Sequence, residues 1–284
     1  MSFKDLKKIG DHMVPAVGLG TWGIGGKTMP DHSKDREWVE AIRYAVENGM
    51  WLIDTAEFYA QGHAEELVGE AIKNFGRDNV FIISKVWYTH LEREQVLQAA
   101  ERSLKRLSLS YIDLYLIHWP SERVPLRETL SAMQELIDKG KIRYAGVSNF
   151  DLQLLKKARE EMPRSDIVAD EVRYSLWYRE PEKELLPYCE REKIALIAYT
   201  PVEKGALASD KYLREIGKKY GKTAVQVAIN WLIYKEPVIA IPKAEKPEHI
   251  KEDAGAMGWR LTEEDYNLLA GKGIEDRFRK AGNE

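Results

Sequence analysis

The feature that most constrains this chain is a repeated alternation of short apolar runs, rich in β-branched residues, with longer amphipathic stretches. Runs that are apolar at every position, rather than at alternate positions, are typical of parallel strands covered on both faces. Strands of this kind are connected by crossovers that contain helices, as the amphipathic stretches indicate. The predicted strands are 16–20, 50–54, 80–84, 112–118, 142–148, 166–172, 194–200 and 237–242.

Helical periodicity fills the intervals between these strands and continues after the last one. Eight strand–helix units in succession favour the α/β class and a closed (β/α)8 TIM barrel over an open sheet. Residues 1–15, with a turn at Gly10-Asp11, predict an N-terminal β-hairpin at the barrel bottom. Because no linker or repeat divides the chain, residues 1–284 are predicted to form one domain. The predicted helices are 35–48, 63–75, 92–107, 127–139, 151–161, 182–193, 210–220, 223–235, 247–257 and 262–271.

Composition excludes several classes of partner. A net charge of −3 gives no general attraction to nucleic acid or to an anionic membrane. No apolar run approaches the length of a membrane helix, and the N-terminal residues lack the apolar core of a signal peptide. The single cysteine, Cys189, cannot form an internal disulfide, which suits a reducing compartment. We therefore expect a cytoplasmic protein, and we predict no metal site.

One glycine-rich segment has an alternative interpretation. Residues 18–23, GLGTWG, fit the G-x-G-x-x-G pattern of a Rossmann dinucleotide-binding turn. That turn opens directly into a helix whose N-terminus holds the pyrophosphate, whereas here the chain continues as IGGKTMPDHS and the first helix is predicted about ten residues later. A glycine-rich barrel loop is therefore the favoured interpretation.

Four side chains follow predicted strands in the first half of the chain: Asp54, Tyr59, Lys85 and His118. Taken singly, each has an ordinary explanation, as a turn cap, a packed aromatic, a buried lysine with a partner, or a histidine at the barrel mouth. Parallel strands of a barrel bring their C-terminal ends to one face, so the four are predicted to meet there. Together they can hand a proton to a carbonyl oxygen.

The chemistry predicted for this quartet begins with Tyr59 as the proton donor. A lysine ammonium about 4 Å from a phenolate stabilises it by about 4 kcal/mol at an effective dielectric of about 20. Lys85 is therefore expected to lower the pKa of Tyr59 by up to roughly three units. Asp54 is expected to keep Lys85 charged, and His118 to orient the substrate oxygen by a hydrogen bond.

Longer motifs then resemble those of a known family. GMWLIDTAEFYAQGHAEELVGEAI, FIISKVW, YIDLYLIHWP, IRYAGVSNF and VIAIPKAEKPEHIKE are similar to successive motifs of the aldo-keto reductases, and the resemblance runs from residue 18 to near residue 270. The tail, IEDRFRKAGNE, is short, as in prokaryotic members. The resemblance implies a barrel that binds an extended nicotinamide cofactor without a Rossmann motif. It also implies Tyr59 as general acid, with Asp54, Lys85 and His118 in support.

The resemblance further implies the cofactor contacts. Departures from the family pattern are Glu171 for a glutamine, Ala244 for a serine or threonine, His249 for an arginine and Asp253 for an asparagine. Arginine is always charged and binds phosphate through two hydrogen bonds, whereas histidine is mostly neutral at pH 7. Selectivity for NADP(H) should therefore be reduced, and we expect NADP(H) use with appreciable use of NAD(H). The implied cofactor-binding residues are Gly20, Thr21, Trp22, Asp54, Ser148, Asn149, Glu171, Tyr199, Thr200, Pro201, Val202, Lys204, Ile241, Lys243, Ala244, His249, Glu252 and Asp253.

Aromatic residues near the quartet predict the substrate side. Without an arginine or lysine in these segments to anchor a carboxylate, a small uncharged aldehyde, ketone or sugar carbonyl is expected, in an open pocket and in a monomer or weak dimer. The predicted substrate-binding residues are Trp22, Phe58, Tyr59, Trp87, His118 and Trp119.

Two other functions are compatible with the same barrel. A lyase would use Lys85 as a Schiff-base nucleophile, but that requires a neutral amine, and a paired Asp54 opposes it. A non-catalytic redox-sensing subunit would keep the reductase fold and turn over slowly. Steady-state oxidation of NADPH by a simple aldehyde separates these possibilities.

Overall fold

Eight parallel strands form the centre of the computed structural model, which describes residues 5–271. Each of the eight strands pairs with the strand that comes next in the sequence. Val17, just before the first of them, pairs in parallel with Ala240 of the last, and the Gly20 N–H donates to the Pro242 carbonyl at 2.9 Å. These contacts close the sheet and confirm the predicted barrel. The strands are β3 (Leu19–Gly20), β4 (Leu52–Asp54), β5 (Phe81–Val86), β6 (Ile112–Ile117), β7 (Ile142–Ser148), β8 (Ile167–Arg173), β9 (Ala195–Tyr199) and β10 (Val238–Ile241).

Helices cover the outside of the barrel close to the predicted positions. Two differences concern short segments: the predicted helix 182–193 is a 3-10 turn at Glu180–Glu182 followed by a shorter helix, and the segment predicted as a loop after β9 contains a 3-10 segment at Glu203–Ser209. The helices are α1 (Asp35–Glu47), α2 (His63–Ile72), α3 (Arg93–Leu107), α4 (Leu126–Asp138), α5 (Leu152–Glu161), α6 (Leu185–Glu192), α7 (Lys211–Tyr220), α8 (Ala224–Ile233), α9 (Pro247–Ala254) and α10 (Glu263–Ala270).

Side-chain caps fix where several helices begin. Asp151 accepts from the Leu154 N–H at the start of α5, and Asp210 accepts from Leu213 N–H at the start of α7. Thr223 and Gln226 form a reciprocal capping box before α8. Such contacts satisfy backbone donors that have no partner inside the helix. The glycine-rich segment after β3, in contrast, leads through turns, and α1 begins only at Asp35, as the barrel-loop interpretation requires.

The N-terminal hairpin closes the barrel at the end opposite the strand C-termini. Strand β1 (Leu6–Ile9) pairs antiparallel with β2 (His12–Pro15) across a turn in which Gly10 has φ 60°. A side chain at Gly10 would meet the ring of Tyr144, so glycine is needed here both for its conformation and for its size. Ile9 and Val14 are fully buried among the residues of the barrel interior. This confirms the predicted plug.

Two apolar layers hold the fold together, one inside the barrel and one between the barrel and the helices. Successive residues of β5 and β6 point alternately into these layers, which is why every position of both strands is buried. Among residues 5–271, none of the helices combines the length and the apolarity that crossing a membrane would take. The predicted short tail belongs to residues 272–284, which lie outside the described part of the chain.

Candidate active site

The four predicted residues meet at the C-terminal face of the barrel. Asp54 is the last residue of β4, Lys85 is the next-to-last residue of β5, and His118 follows β6 directly. Tyr59 begins a 3-10 turn just after β4, and its ring lies 5.6 Å from the His118 ring, centroid to centroid. Because all three strands are parallel, their C-terminal ends bring these groups together from distant parts of the sequence.

Lys85 is the centre of this group and is completely buried. Its Nζ donates to the Asp54 carboxylate, to the Thr55 carbonyl at 3.1 Å and to the Tyr59 hydroxyl oxygen at 3.3 Å. Three acceptors thus satisfy the three N–H groups of the ammonium. Burial by itself lowers the pKa of Lys85, but the negative charges around it, Asp54 foremost, raise that pKa above its ordinary value. Lys85 is therefore a permanent cation, which opposes a Schiff-base role.

Tyr59 is held as a protonated phenol. Burial raises its pKa above the ordinary value; Lys85 lowers that pKa, but the charges of Asp54 and Glu171 raise it again. Lys85 does lower the pKa of Tyr59, as expected, but burial outweighs this effect, so the expected net lowering is not found. Since the ammonium can only donate, the Tyr59 oxygen is the acceptor in their contact, and its own O–H proton remains available for another acceptor.

Glu171 is a second carboxyl group beside Lys85. It is buried near the end of β8, and its Oε2 lies 3.4 Å from the Lys85 Nζ. This oxygen has no hydrogen-bond partner in the described part of the chain. Arg173, which is close in sequence, pairs instead with Glu203. Burial, followed by the charge of Asp54, raises the pKa of Glu171 well above its ordinary value, and the pull of Lys85 does not offset this. Burial also raises the pKa of Asp54, but the charge of Lys85 and the hydrogen bond from it oppose that rise, so Glu171 is the carboxyl of the pair that binds a proton more readily.

His118 is neutral for a different reason. Burial, and then the positive charge of Lys85, lower the pKa of its imidazole to about 2. Its Nδ1 is buried and has no hydrogen-bond partner among residues 5–271. A neutral imidazole carries one N–H donor, which is what orienting a carbonyl oxygen requires.

A hydrogen-bonded network joins the ends of β7, β8 and β9. The Asn149 side chain donates to the His118 carbonyl at 3.0 Å and to the Ser148 hydroxyl at 3.0 Å, and accepts from the Tyr199 hydroxyl at 2.8 Å. Ser148 in turn donates to the Glu171 carbonyl at 2.8 Å. The structure therefore brings together Ser148, Asn149, Glu171 and Tyr199, as the sequence predicted.

Backbone strain marks the same face of the barrel. Left-handed φ values at non-glycine residues cost of order 1–3 kcal/mol and concentrate at functional sites. Two such residues within 5–271, Ser108 and Lys193, lie at helix C-termini. The others follow β4, β7 or β9 at this face: Ala60, Gln61, Asn149, Thr200, Glu203 and Lys204.

Aromatic rings form a wall next to Tyr59. The Phe58 ring is stacked on Trp87 at 3.8 Å and parallel to Trp22 at 6.1 Å, measured between centroids. Trp87 also meets the His118 ring edge-on at 5.0 Å. Trp22 and Trp119 are 42% and 43% exposed, so they form the outer rim.

Three lysines form a positively charged cluster beside the glycine-rich loop: Lys27, Lys34 and Lys243. Of these, Lys243 was predicted from the sequence. Burial lowers the pKa of Lys243, and the positive charges of Lys34 and Lys27 lower it further. Lys243 also pairs with Glu245. Lys27 and Lys34 were not predicted to belong to this cluster because they lie far from Lys243 in the sequence. The signal that could have identified them is that they lie within and just after a glycine-rich loop, where anions often bind.

The remaining predicted cofactor residues lie along the rim or on α9. Gly20 has no room for a side chain because a Cβ there would lie 2.9 Å from the Ile241 carbonyl oxygen. On α9, His249 is exposed and Asp253 is buried, and burial raises the pKa of Asp253 to about 8. The Thr21 hydroxyl is buried and has no hydrogen-bond partner among the described residues. After β9, the backbone of Thr200, Pro201 and Val202 leads into the strained turn.

The closed parallel barrel thus places a buried Asp–Lys–Tyr group and a neutral histidine at the strand C-termini, where a phenol can donate a proton to a bound carbonyl oxygen. The model of the Aldo/keto reductase family matches residues 16–274. The chain therefore belongs to the aldo/keto reductase family.

Relatives and solved structures agree with this assignment over nearly the whole chain. Methylglyoxal reductase YeaE of Escherichia coli is 36% identical over 274 residues, covering 95% of this chain and 94% of that protein. The thermostable aldo-keto reductase Tm1743, solved with the inhibitor epalrestat, is 47% identical with a TM-score of 0.89, covering 95% of this chain and 98% of the other. An aldo/keto reductase of Klebsiella pneumoniae, solved with NADP and acetate, is 35% identical with a TM-score of 0.85 and 94% coverage of both chains.

Proposed function

We propose that this protein reduces small uncharged aldehydes or ketones to alcohols, reversibly, with NADPH as cofactor and NADH as a second cofactor. The observation that carries the proposal is the contact of 3.3 Å between the Lys85 Nζ and the Tyr59 hydroxyl oxygen, at the mouth of a parallel barrel. Asp54 and a neutral His118 complete the group. The relative named a methylglyoxal reductase supports the substrate class.

In the proposed reaction, Tyr59 donates its proton to the carbonyl oxygen as negative charge develops there. An alkoxide is a stronger base than a phenolate, so a phenol with a raised pKa still delivers its proton. Lys85 stabilises the phenolate that is left, and Asp54 keeps that cation in place. His118 donates a hydrogen bond to the same carbonyl oxygen and fixes its position. The reduced nicotinamide supplies the electron pair and the hydrogen that the carbonyl carbon gains.

The residues at the barrel mouth suit such a cofactor. Buried polar atoms of Thr21, His118 and Glu171 have no hydrogen-bond partner within the described residues, so a polar ligand can satisfy them. A protonated Glu171 offers one O–H donor and one carbonyl acceptor, the same pair that an amide offers to a carboxamide. Asn149 and Ser148 lie beside it, and Tyr199 is proposed to stack on the nicotinamide ring.

The phosphates are proposed to bind at the strained turn after β9 and at the lysine cluster. Consecutive left-handed residues there, including Lys204, turn backbone N–H groups toward one side, and such nests favour anions. Lys27 and Lys34 add positive charge to Lys243 beyond what the sequence suggested. The adenosine end is proposed to contact residues of the rim and of α9: Gly20, Ile241, Ala244, His249, Glu252 and Asp253.

The substrate is proposed to lie against Phe58 and Trp87, with Trp22 and Trp119 at the entrance. A wall of aromatic side chains suits an uncharged molecule. We also propose that the protein works in the cytoplasm, where its lone buried cysteine stays reduced, as a monomer or weak dimer.

Replacing the proton donor tests the proposal. Tyr59→Phe should lower kcat/KM for aldehyde reduction by about 10²–10⁴-fold, the usual contribution of a general acid. NADPH affinity, measured by quenching of protein fluorescence, should be nearly unchanged. Tyr88→Phe, which removes the hydroxyl of a tyrosine that is 39% exposed near the rim, is the matched control and should keep full activity. Substantial turnover by Tyr59→Phe would refute the assigned donor.

A further inference from the structure

Three potential metal ligands meet beside the turn that carries Tyr59, although the sequence predicted no metal site. His32 lies in the loop after β3, Asp35 is the first residue of α1, and His63 is the first residue of α2. One ligand atom from each lies within 4.8 Å of the other two. The Asp35 carboxylate bridges the two imidazoles, with Oδ1 at 2.8 Å from the His63 Nε2 and Oδ2 at 3.1 Å from the His32 Nδ1.

The surroundings of His63 indicate positive charge in this cluster. His63 is 7% exposed, and its other ring nitrogen, Nδ1, lies 2.9 Å from the Glu66 Oε2. An imidazole with one proton donates it to one of these carboxylates and turns a lone pair toward the other. The short contact on that side therefore calls for positive charge there, which either a second proton or a metal ion provides. A carboxylate on the far nitrogen is also the partner that metal-bound histidines usually have.

We propose that His32, Asp35 and His63 bind a divalent transition-metal ion of the zinc class, with Glu66 orienting His63. Two imidazoles and one carboxylate suit zinc, nickel or copper, whereas magnesium and calcium prefer oxygen ligands alone. Zinc bonds of about 2.0–2.1 Å in a tetrahedron place neighbouring ligands roughly 3.4 Å apart. The present separations of 2.8 Å and 3.1 Å therefore need to widen by only about 0.5 Å. His32 is largely exposed, so its side chain is free to adjust.

The metal would join the glycine-rich loop to the Tyr59 turn. These segments already touch: the Ala60 N–H donates to the Lys27 carbonyl at 2.6 Å. Gly25 packs so closely on α2 that an added Cβ would lie 3.0 Å from the His63 Cδ2. Ala60 is also one of the residues with a strained, left-handed backbone. An ion bound here stabilises the folded state and fixes this loop, without touching the reacting atoms.

Metal binding can be measured directly on the untagged protein. After treatment with a chelator, the wild type should bind one equivalent of Zn²⁺ in competition with a chromophoric chelator, and Co²⁺ should give the visible absorption of a tetrahedral site. His32→Gln and Asp35→Asn should each weaken binding at least about tenfold, and Glu66→Ala by about 10- to 100-fold, as expected for a histidine-orienting partner. His90→Gln is the matched control, because His90 is a part-exposed histidine paired with a single carboxylate, Glu57. It should bind zinc like the wild type.

Two results would overturn the proposal. One is the absence of stoichiometric zinc binding by the wild type, which would leave a protonated His63 as the cation. The other is full affinity in both His32→Gln and Asp35→Asn, which would place the ion elsewhere. A rise in Tm on adding Zn²⁺, present in the wild type and absent in His32→Gln, provides a readout that does not depend on activity.

Discussion

The Glu171 Oε2 lies 3.4 Å from the Lys85 Nζ, so two buried carboxyl groups, Asp54 and Glu171, share one ammonium. Both lie out of contact with solvent, where an unpaired negative charge is strongly disfavoured. The group is therefore electrically balanced only when one of the carboxyls is protonated. Because Asp54 makes the direct hydrogen bond to Lys85, we expect Asp54 to keep the charge and Glu171 to bind the proton.

Glu171→Gln should preserve cofactor binding and change the response to pH. In the wild type, Glu171 loses its proton as pH rises through its raised pKa, which adds a negative charge beside Lys85 and raises the pKa of Tyr59 further. We expect kcat/KM for reduction to fall at alkaline pH in the wild type and to fall less in the variant. Initial rates from about pH 6 to about pH 10 measure this. Superimposable profiles would contradict a protonated Glu171.

The same variant should alter stability in a defined direction. Because the folded-state pKa of Glu171 is raised, its contribution to stability is complete below the unfolded pKa and is lost as pH rises through the folded value. Glu171→Gln removes this dependence. The free energy of unfolding of the variant, relative to the wild type, should therefore increase between about pH 5 and about pH 9 in urea denaturation experiments.

Lys85→Met should destabilise the fold as well as abolish reduction. Removing the cation that contacts Asp54 leaves a buried charge without its partner, which typically costs about 3–5 kcal/mol. The double variant Lys85→Met with Asp54→Asn should recover part of that loss, because it no longer buries an unpaired charge. Urea denaturation of the single and double variants gives the coupling energy. A double variant no more stable than Lys85→Met would argue against ionised Asp54.

His118 should make the protein less stable in acid. The unfolded chain binds a proton at the ordinary histidine pKa near 6.5, whereas the folded state does so only at about 2. Between these values the unfolded state holds more protons, so stability falls as pH falls through this window. At pH 5 the effect is about 2 kcal/mol relative to pH 7.5. His118→Asn should flatten the pH dependence by this amount, and an unchanged slope would show that the imidazole is not buried in its neutral form.

Cofactor preference should respond to a single change on α9. His249 is exposed at the position where the family often has an arginine, and a permanent charge there should favour the 2′-phosphate of NADPH. His249→Arg should raise the ratio of kcat/KM for NADPH over NADH by about tenfold, equivalent to about 1.4 kcal/mol. His90→Arg places the same charge elsewhere and should leave the ratio unchanged. A wild-type preference for NADPH of about a thousandfold would contradict the proposed use of both cofactors.

Local pattern was enough to predict most of the architecture. Eight apolar runs bounded by helical periodicity identified the strands, because a strand covered on both faces must be apolar throughout. The C-terminal end of a parallel strand is a position that sequence can locate, so Asp54, Lys85 and His118 were correctly predicted to lie together. The segment after β9 was less predictable because it is tied to residues distant in sequence. The Glu203 carboxylate in this segment accepts hydrogen bonds from Arg173, at the end of β8, and from Ser175 just after it.

The sequence by itself determined the barrel, its plug and the types of side chain at its mouth, because periodicity, apolar runs and turn residues are local properties. Only the tertiary structure decided the protonation states: how deeply Tyr59 is buried, which carboxyls reach Lys85, and that His118 is neutral. It also brought Lys27 and Lys34 to Lys243, and His32 to His63. A pKa or a ligand cluster depends on distances of a few ångströms between residues far apart in the chain, and the folded barrel sets those distances.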